Sequence, residues 1–233
     1  MDPVRRDPHD GILGQDPYHF DGPADFWNEV RNEGANYRRN LQKGQPYRLE
    51  LWCEAAGMVP QLRRVADRYS VGVYTCSGFN SLTSVRELAD RVLYHGGDGG
   101  TTPTVLLHVG DFDPSGRMMF DAFTEDVGRF VHADRRYRYR QELYPVRVAL
   151  MLEQIEAENL IRVPFSITAA KAKKHPHLRG WKHDFTVQAE ALTPARLAEI
   201  VEEAILGWFE QEPYQEALVA ERGERERIAS RMP

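Results

Sequence analysis

An apolar run in the middle of the chain ends in two carboxylates one residue apart. The run VLLHVGDFDPSG covers residues 105–116, and its two acids are Asp111 and Asp113. Alternation along an extended strand end directs both side chains to the same side. Paired carboxylates repel and raise one pKa unless a cation neutralises them. Hard divalent cations take oxygen ligands, so the spacing indicates a metal site suited to phosphoryl chemistry.

A second strand-like run has the same form. Residues 48–54, RLELWCE, end in Glu54, and Ala-Ala-Gly57 follows. Two parallel strands that each present an acid at the carboxyl end can build one metal site. A purely structural alternative remains open, because Asp113 before Pro114 is also a good helix N-cap and Asp111 could cap a turn. Glu54 at the matching position favours the metal site.

Composition sets the broad class of the protein. The chain has 233 residues, 42% of them hydrophobic, and a net charge of −5. This length can bury the core of one large domain, whereas any nucleic-acid binding must come from local basic patches. The two cysteines are predicted to be small core residues. No signal peptide or membrane span is evident, so we expect a cytoplasmic protein without membrane contacts.

Alternating strands and helices predict an α/β fold, a parallel, Rossmann-like sheet with helices on both faces. The predicted strands are residues 48–54, 71–76, 104–111 and 146–151, and the helices between and after them are 59–69, 81–95, 114–131 and 153–159. Three regions are expected: an N-terminal arm at 1–46 with short helices at 23–30 and 37–42, a core at 47–155, and a basic loop with C-terminal helices packed on the core at 156–233. The two C-terminal helices are predicted at 194–209 and 214–231.

The motifs together resemble the Toprim domain, the metal-binding module of topoisomerases, primases and a set of nucleases. In that family a Glu follows the first strand and an Asp-x-Asp follows a later one, matched here by Glu54 and by Asp111 with Asp113. The sequence GDFDPSG at 110–116 is most similar to the topoisomerase VI A branch, including its bacterial Toprim relatives. GFNSLT at 78–83 resembles a glycine-containing loop of that branch, and QAEAL at 188–192 is similar to a stretch of bacterial members.

The resemblance implies roles for these residues. Glu54, Asp111 and Asp113 would be catalytic and would hold one or two Mg²⁺, with Mn²⁺ as an alternative. Gly78 and Ser81, in the loop that opens a helix, could hold a phosphate, although ordinary capping by Ser81 explains them equally well. Glu190 is a candidate further acid, for which a solvated surface position is the simpler interpretation.

One departure from the family concerns the nucleophile. The topoisomerase VI branch cleaves DNA with a tyrosine on a winged-helix domain that precedes Toprim, and residues 1–46 lack the three-helix pattern of such a domain. Tyr37 has basic neighbours, but a surface or packing role suits it better. Either a winged-helix domain or partner chain supplies a tyrosine, or metal-activated water attacks and the enzyme is a nuclease.

Two basic segments could contact DNA, the expected partner. Arginine pairs with phosphate, and interleaved tyrosine can stack or pack; a solvated linker is the alternative for the first segment. A second copy of the chain, in a homodimer, is another partner considered. The basic residues singled out are Arg136, Arg138 and Arg140 in the first segment and Lys171, Lys173 and Lys174 in the second.

The leading hypothesis is therefore Mg²⁺-dependent cleavage of DNA phosphodiester bonds by a Toprim-like core, by hydrolysis or as the Toprim part of a topoisomerase VI A-like enzyme. One alternative is a non-catalytic DNA-binding or assembly module that keeps the fold. Another is a phosphatase of the haloacid-dehalogenase type, which also uses Asp-x-Asp after a strand. In that class the motif normally ends the first strand, whereas here it ends the third predicted one.

Overall fold

Four parallel strands form the sheet that carries the predicted acids. In the computed structural model, which describes residues 19–75, 82–94, 102–133, 142–168, 173–175, 178 and 180–231, their order is β2-β1-β3-β4. The predicted α/β class with a parallel sheet is confirmed. The strands are β1 (Arg48–Cys53), β2 (Gly72–Thr75), β3 (Thr104–Val109) and β4 (Leu143–Ala149).

Helices connect and follow these strands. Single turns of 3₁₀ helix cover Ala56–Met58, Asp67–Tyr69 and Ala189–Ala191. The α-helices are α1 (Pro23–Ala35), α2 (Val59–Ala66), α3 (Leu82–Tyr94), α4 (Pro114–Ala133), α5 (Leu152–Ala157), α6 (Pro194–Trp208) and α7 (Gln211–Arg231). Among the residues described, none of these helices combines the length and the apolar character that crossing a membrane requires.

Both faces of the sheet are covered, since every residue of β3 is buried. Trp52 and Leu106 lie in a buried cluster with apolar side chains of α3 and α4. Helices α2 and α6 pack against each other, α2 also against β2 and α6 against β4. Burial on both faces explains why the sequence of β3 is a nearly continuous apolar run rather than an alternating one.

The strand order places a topological switch point between β1 and β3. The chain leaves β1 through α2 to reach β2 on one side, then returns through α3 to β3 on the other side of β1. Right-handed crossovers in opposite directions put α2 and α3 on opposite faces. The crevice between their connections lies beyond the carboxyl ends of β1 and β3, which is where ligands bind in open parallel sheets.

The region before β1 differs from the sequence prediction. A helix was expected at 37–42, but residues 41–44 form a turn, and Gly44 adopts a left-handed φ of 87°. The side chain of Gln42 donates to the carbonyl oxygens of Leu49 (3.3 Å) and Ser70 (2.7 Å) and accepts from the Leu49 N–H (2.6 Å). This side chain supplies hydrogen bonds where β1 begins, which a helix at 37–42 would not do.

Two short strands occupy part of the segment that was predicted to be a basic loop. β5 (Val163–Pro164) pairs antiparallel with β6 (Phe185–Thr186). Just beyond β6, Val187 forms an antiparallel bridge with Phe112. The polypeptide after β6 is thereby fixed beside the residues that follow β3.

The chain divides into two compact units. One comprises Asn40–Ala217 and contains the whole sheet; the other comprises the residues up to Arg39 and those from Leu218 onward. Within the second unit, the Tyr37 hydroxyl donates to Glu224 Oε2 at 2.8 Å. This hydrogen bond to Glu224 raises the pKa of Tyr37 above its ordinary value.

Candidate metal centre

Three carboxylates converge at the switch point. Glu54 follows the last residue of β1, and Asp111 and Asp113 follow β3. One carboxylate oxygen from each lies within 4.8 Å of the other two. Direct pairing of β1 with β3, Cys53 opposite Val109, is what aligns the two strand ends. The structure therefore brings together the three acids that the sequence singled out.

Each of these carboxylates is oriented by backbone N–H groups through a single oxygen. Glu54 Oε2 accepts from the Asp111 N–H at 3.0 Å, and Asp111 Oδ1 accepts from the Ala189 N–H at 2.8 Å. Asp113 Oδ1 accepts from the N–H groups of Ser115 and Gly116, both at 2.7 Å, so it also caps α4. Among the described residues, the second oxygen of each carboxylate accepts no hydrogen bond.

Two glycines make room for Glu54. A β-carbon on Gly116 would lie 2.7 Å from Glu54 Oε2 and 2.9 Å from Oε1. A β-carbon on Gly110 would lie 2.8 Å from Oε2 and 2.7 Å from Cε1 of His108. Real β-carbons essentially never come this close, so the carboxylate occupies space that any other residue type at either position would fill.

The polypeptide after β6 adds a fourth acid to the neighbourhood. The bridge between Phe112 and Val187 brings the 3₁₀ turn Ala189–Ala191 to the site. Glu190 is exposed, and its charge is among the causes that raise the pKa of Asp111, after burial. The sequence prediction placed Glu190 as a candidate further acid, and the fold positions it within electrostatic range of Asp111.

A partly buried arginine supports the turn that carries the aspartates. Arg147, on β4, donates through Nη2 to the carbonyl oxygens of Gly110 (2.9 Å) and Asp111, and through Nε to the carbonyl oxygen of Leu150 (3.2 Å). Burial, followed by the charge of Arg117, lowers the pKa of Arg147 to about 10. The guanidinium therefore remains charged at neutral pH and offsets part of the carboxylate charge.

His108 lies beneath the site in a fully buried position. Its ring stacks on Phe120 with centroids 3.9 Å apart, and its Nδ1 lies 3.5 Å from Nη1 of Arg147. Burial and the neighbouring Arg147 lower the pKa of His108 to about 3. The ring is neutral at physiological pH, which suits a packing role for His108 between Phe120 and Arg147.

Burial also affects the acids themselves. It is the largest cause that raises the pKa of Glu54, and the hydrogen bond from the Asp111 N–H counteracts it. Burial likewise raises the pKa of Asp111, against the effect of the Ala189 N–H. Both groups are half-buried acids whose charge a bound cation would stabilise.

The donor set fits a hard divalent cation. All the candidate ligand atoms are carboxylate oxygens, which Mg²⁺ and Mn²⁺ accept, and each carboxylate keeps an oxygen free of protein hydrogen bonds among the residues described. The neighbouring thiol adds no soft ligand, because burial, with a contribution from Glu190, raises the pKa of Cys53 to about 12. Cys53 is buried, as the sequence predicted for a core residue.

Among the residues that the structure describes, the predicted phosphate- and DNA-binding residues are not part of this acidic cluster. Lys173 and Lys174 are exposed, and their role in DNA binding stays a prediction. The other phosphate- or DNA-binding candidates lie outside the described residues: Gly78, Ser81, Arg136, Arg138, Arg140 and Lys171. Cys76, predicted to be a core residue, also lies outside them.

Several residues of the site were not found from the sequence. The sequence gives a weak indication of Arg147, which is a charged residue inside the strand-like run 146–148. Its partners are backbone carbonyl oxygens, which leave no pattern in the sequence. The Ala189 N–H depends on the bridge at Phe112, which joins residues 75 positions apart in the chain. Arg117 has no sequence signal beyond its place in the first turn of α4.

Comparison of the chain with protein-family models, with curated proteins and with solved structures returns no match. The Toprim resemblance therefore rests on the residues quoted above.

Proposed function

We propose that this protein is a Mg²⁺-dependent enzyme that cleaves DNA phosphodiester bonds with a Toprim-like catalytic core, in the cytoplasm. One observation carries the proposal: oxygens of Glu54, Asp111 and Asp113 lie within 4.8 Å of one another at the carboxyl ends of adjacent parallel strands. Three carboxylates this close are electrostatically costly without a cation. Fixed backbone hydrogen bonds and the two glycines maintain that arrangement.

The three carboxylates would hold the cation through their unbonded oxygens. When bound, Mg²⁺ supplies charge stabilisation for the phosphoryl group and lowers the pKa of a coordinated water. The N–H groups of Asp111 and Ala189 orient the carboxylates of Glu54 and Asp111, which removes the need for these side chains to reorganise on metal binding. Glu190, exposed beside Asp111, is the candidate to accept a proton from the attacking water.

Hydrolysis is the form of cleavage that we propose for this chain. A tyrosine nucleophile works best when its pKa is lowered, whereas the hydrogen bond to Glu224 raises the pKa of Tyr37. The buried thiol of Cys53 is also a poor nucleophile, since burial raises its pKa to about 12. These observations favour water as the attacking group, with products that end in a free phosphate rather than in a protein–DNA adduct.

The test is a cleavage assay on the full chain with plasmid and linear DNA in Mg²⁺. Glu54→Gln, Asp111→Asn and Asp113→Asn preserve side-chain shape while removing one negative charge, and each should lower the cleavage rate by about a hundredfold or more. Glu125→Gln is the matched control, because Glu125 is an exposed carboxylate on α4 that pairs with Arg129 on the same helix. A chelator should abolish cleavage by the parent protein.

The products and the controls decide between the alternatives. If the product is a protein–DNA adduct, the cleavage is tyrosine-linked and the proposal of hydrolysis is wrong. Equal rates for the parent and all three site variants would contradict the catalytic assignment. A parent protein that binds DNA tightly in Mg²⁺ without cleaving it would support the non-catalytic binding module instead.

A further inference from the structure

The rings of Phe112 and Trp181 form an aromatic cage around the side chain of Arg117. Arg117 is in the first turn of α4, directly after the Gly116 that approaches Glu54. Its guanidinium carbon lies 5.0 Å from the ring centre of Phe112 and 5.8 Å from that of Trp181. Phe112 itself is fully buried between the two aspartates of the motif. The cage thus holds a cation one residue after the glycine that approaches Glu54, and the charge of this cation acts on Arg147.

Arg117 is not used to neutralise the acidic cluster. Arg117 forms neither an ion pair nor a hydrogen bond with any residue that the structure describes. Its Nε is buried and without a hydrogen-bond partner in the same part of the chain, and so is Nε1 of the adjoining Trp181. Buried polar groups are normally hydrogen-bonded, so these two N–H groups are donors that an oxygen acceptor could use.

The packing of the rings explains why Arg117 stays unpaired. Phe112 and Trp181 contact each other with ring centres 4.9 Å apart, and His183 lies 5.0 Å from Phe112. A guanidinium plane gains cation–π energy over such rings and is weakly hydrated, so it can be held near carboxylates without joining them. Although Nε is buried, Arg117 as a whole residue is only partly buried, so part of it stays accessible to a ligand.

The second arginine of the site, Arg147, is already hydrogen-bonded to the protein backbone. Arg147 uses Nε and Nη2 on the carbonyl oxygens of Leu150, Gly110 and Asp111. Once divalent cations occupy the carboxylates, Arg117 is a cation close to this site that remains free to bind an anion. Arginine binds phosphate oxygens through its planar fork of donors, with more directional hydrogen bonds than lysine provides.

We propose that Arg117 binds a phosphate oxygen of the DNA backbone and so positions the substrate at the metal centre, with the ring of Trp181 holding the guanidinium in place. The proposal rests on the proposed function for the identity of the ligand, and it assigns the contact to a residue outside the three metal-binding acids. Arg117 acts on the substrate directly, whereas Phe112 and Trp181 act through Arg117.

The test measures binding of a short fluorescein-labelled DNA duplex by anisotropy over a range of salt concentrations. Ca²⁺ replaces Mg²⁺ so that binding is separated from cleavage. Arg117→Gln should weaken binding about tenfold or more and reduce the slope of log affinity against log salt by about one, as expected for one lost phosphate contact. Arg117→Lys should restore the slope but only part of the affinity, because lysine keeps the charge and loses the fork.

Arg129→Gln is the matched control, since Arg129 is an exposed arginine of the same helix that pairs with Glu125 and Asp126. It should leave both affinity and slope unchanged. The proposal is overturned if Arg117→Gln keeps the parent slope, including the case in which affinity falls together with the melting temperature, because that pattern belongs to a structural role. A parent protein that does not bind the duplex overturns it as well.

Cleavage in Mg²⁺, measured on the same proteins, separates this proposal from the proposed function. Binding that depends on Arg117 in a parent protein that cleaves no DNA contradicts the catalytic function alone. Cleavage that Arg117→Gln leaves unchanged, with unchanged binding, overturns the role of Arg117 alone.

Discussion

The backbone N–H of Asp111 donates a hydrogen bond to Oε2 of Glu54 at 3.0 Å, although the two residues are 57 positions apart in the chain. This contact joins the ends of β1 and β3 at the topological switch point of the sheet. It fixes one oxygen of Glu54, and the other oxygen accepts no hydrogen bond from the residues that the structure describes. The geometry of the proposed centre therefore follows from the register of the two strands.

Replacing Gly116 by alanine should disrupt the proposed metal centre without unfolding the protein. The added β-carbon would lie 2.7 Å from Glu54 Oε2, so the carboxylate must move, while alanine is a better helix former than glycine by roughly 1 kcal/mol. We expect Mn²⁺ affinity, measured by titration calorimetry, to fall about tenfold or more. Gly128→Ala, in the same helix with nothing within 4 Å of the new carbon, should bind Mn²⁺ as the parent does. Equal affinities in both variants would show that Glu54 is not constrained as described.

Removing one negative charge should stabilise the metal-free protein. Burial raises the pKa of Asp111 and of Glu54 in the folded state, so their ionised forms lower the free energy of unfolding at neutral pH. This destabilisation disappears once the pH is below the pKa values of the two carboxyls in the unfolded chain, because both states are then protonated. Asp111→Asn should raise the melting temperature in a chelator by about 2–4 °C at most, because solvent screens part of the charge of this half-exposed carboxylate. Added Mn²⁺ should then raise the melting temperature of the parent but not of the variant. Destabilisation by Asp111→Asn in the chelator would contradict this charge argument.

Arg147 should be important for stability as well as for the site. Replacing it by glutamine removes the guanidinium donor from the carbonyl oxygens of Asp111 and Leu150, whereas the carbonyl oxygen of Gly110 keeps the hydrogen bond from the Leu150 N–H. We expect a loss of about 2 kcal/mol or more in the free energy of unfolding, measured with urea. Arg129→Gln, on the surface of α4, should change it by less than about 0.5 kcal/mol. A fully stable Arg147→Gln would mean that solvent replaces these hydrogen bonds at no cost.

His108 should make the protein sensitive to acid. Burial and Arg147 lower the pKa of His108 to about 3 in the folded protein, while the unfolded chain binds a proton near pH 6.5. Between these values the unfolded state binds more protons, so the free energy of unfolding should fall by about 1.4 kcal/mol for each unit of decreasing pH. His108→Gln should have a shallower dependence in urea titrations across this range. An imidazole of His108 that titrates between pH 5 and 8 by NMR would contradict the burial of a neutral ring.

The sequence predicted the sheet and the three acids because both leave local patterns. The apolar run of β3 and the acids at residues 54, 111 and 113 are visible without knowledge of the fold, and burial on both faces explains the length of the run. The contacts that orient the acids leave no such pattern. The Ala189 N–H, the carbonyl partners of Arg147 and the space at Gly116 all depend on residues brought together from distant parts of the chain.

The incorrect helix at 37–42 has a comparable cause. Its residues have reasonable helix propensity, but Gln42 is needed as a hydrogen-bond partner at the start of β1, and Gly44 allows the left-handed turn that places it there. Tertiary contacts override a weak local preference at this position. The same limit applies to Arg117, whose cage of Phe112 and Trp181 is assembled from two separate segments.

The claim that Glu54, Asp111 and Asp113 hold a divalent cation is tested most directly by anomalous diffraction from crystals soaked in Mn²⁺. An anomalous peak should lie between the three carboxylates, roughly 2.0–2.3 Å from the oxygens that accept no protein hydrogen bond. The same soak of Asp113→Asn crystals should weaken or remove the peak. The proposed metal centre would be contradicted if the parent crystal, soaked in a high concentration of Mn²⁺, showed ordered carboxylates with no anomalous density between them.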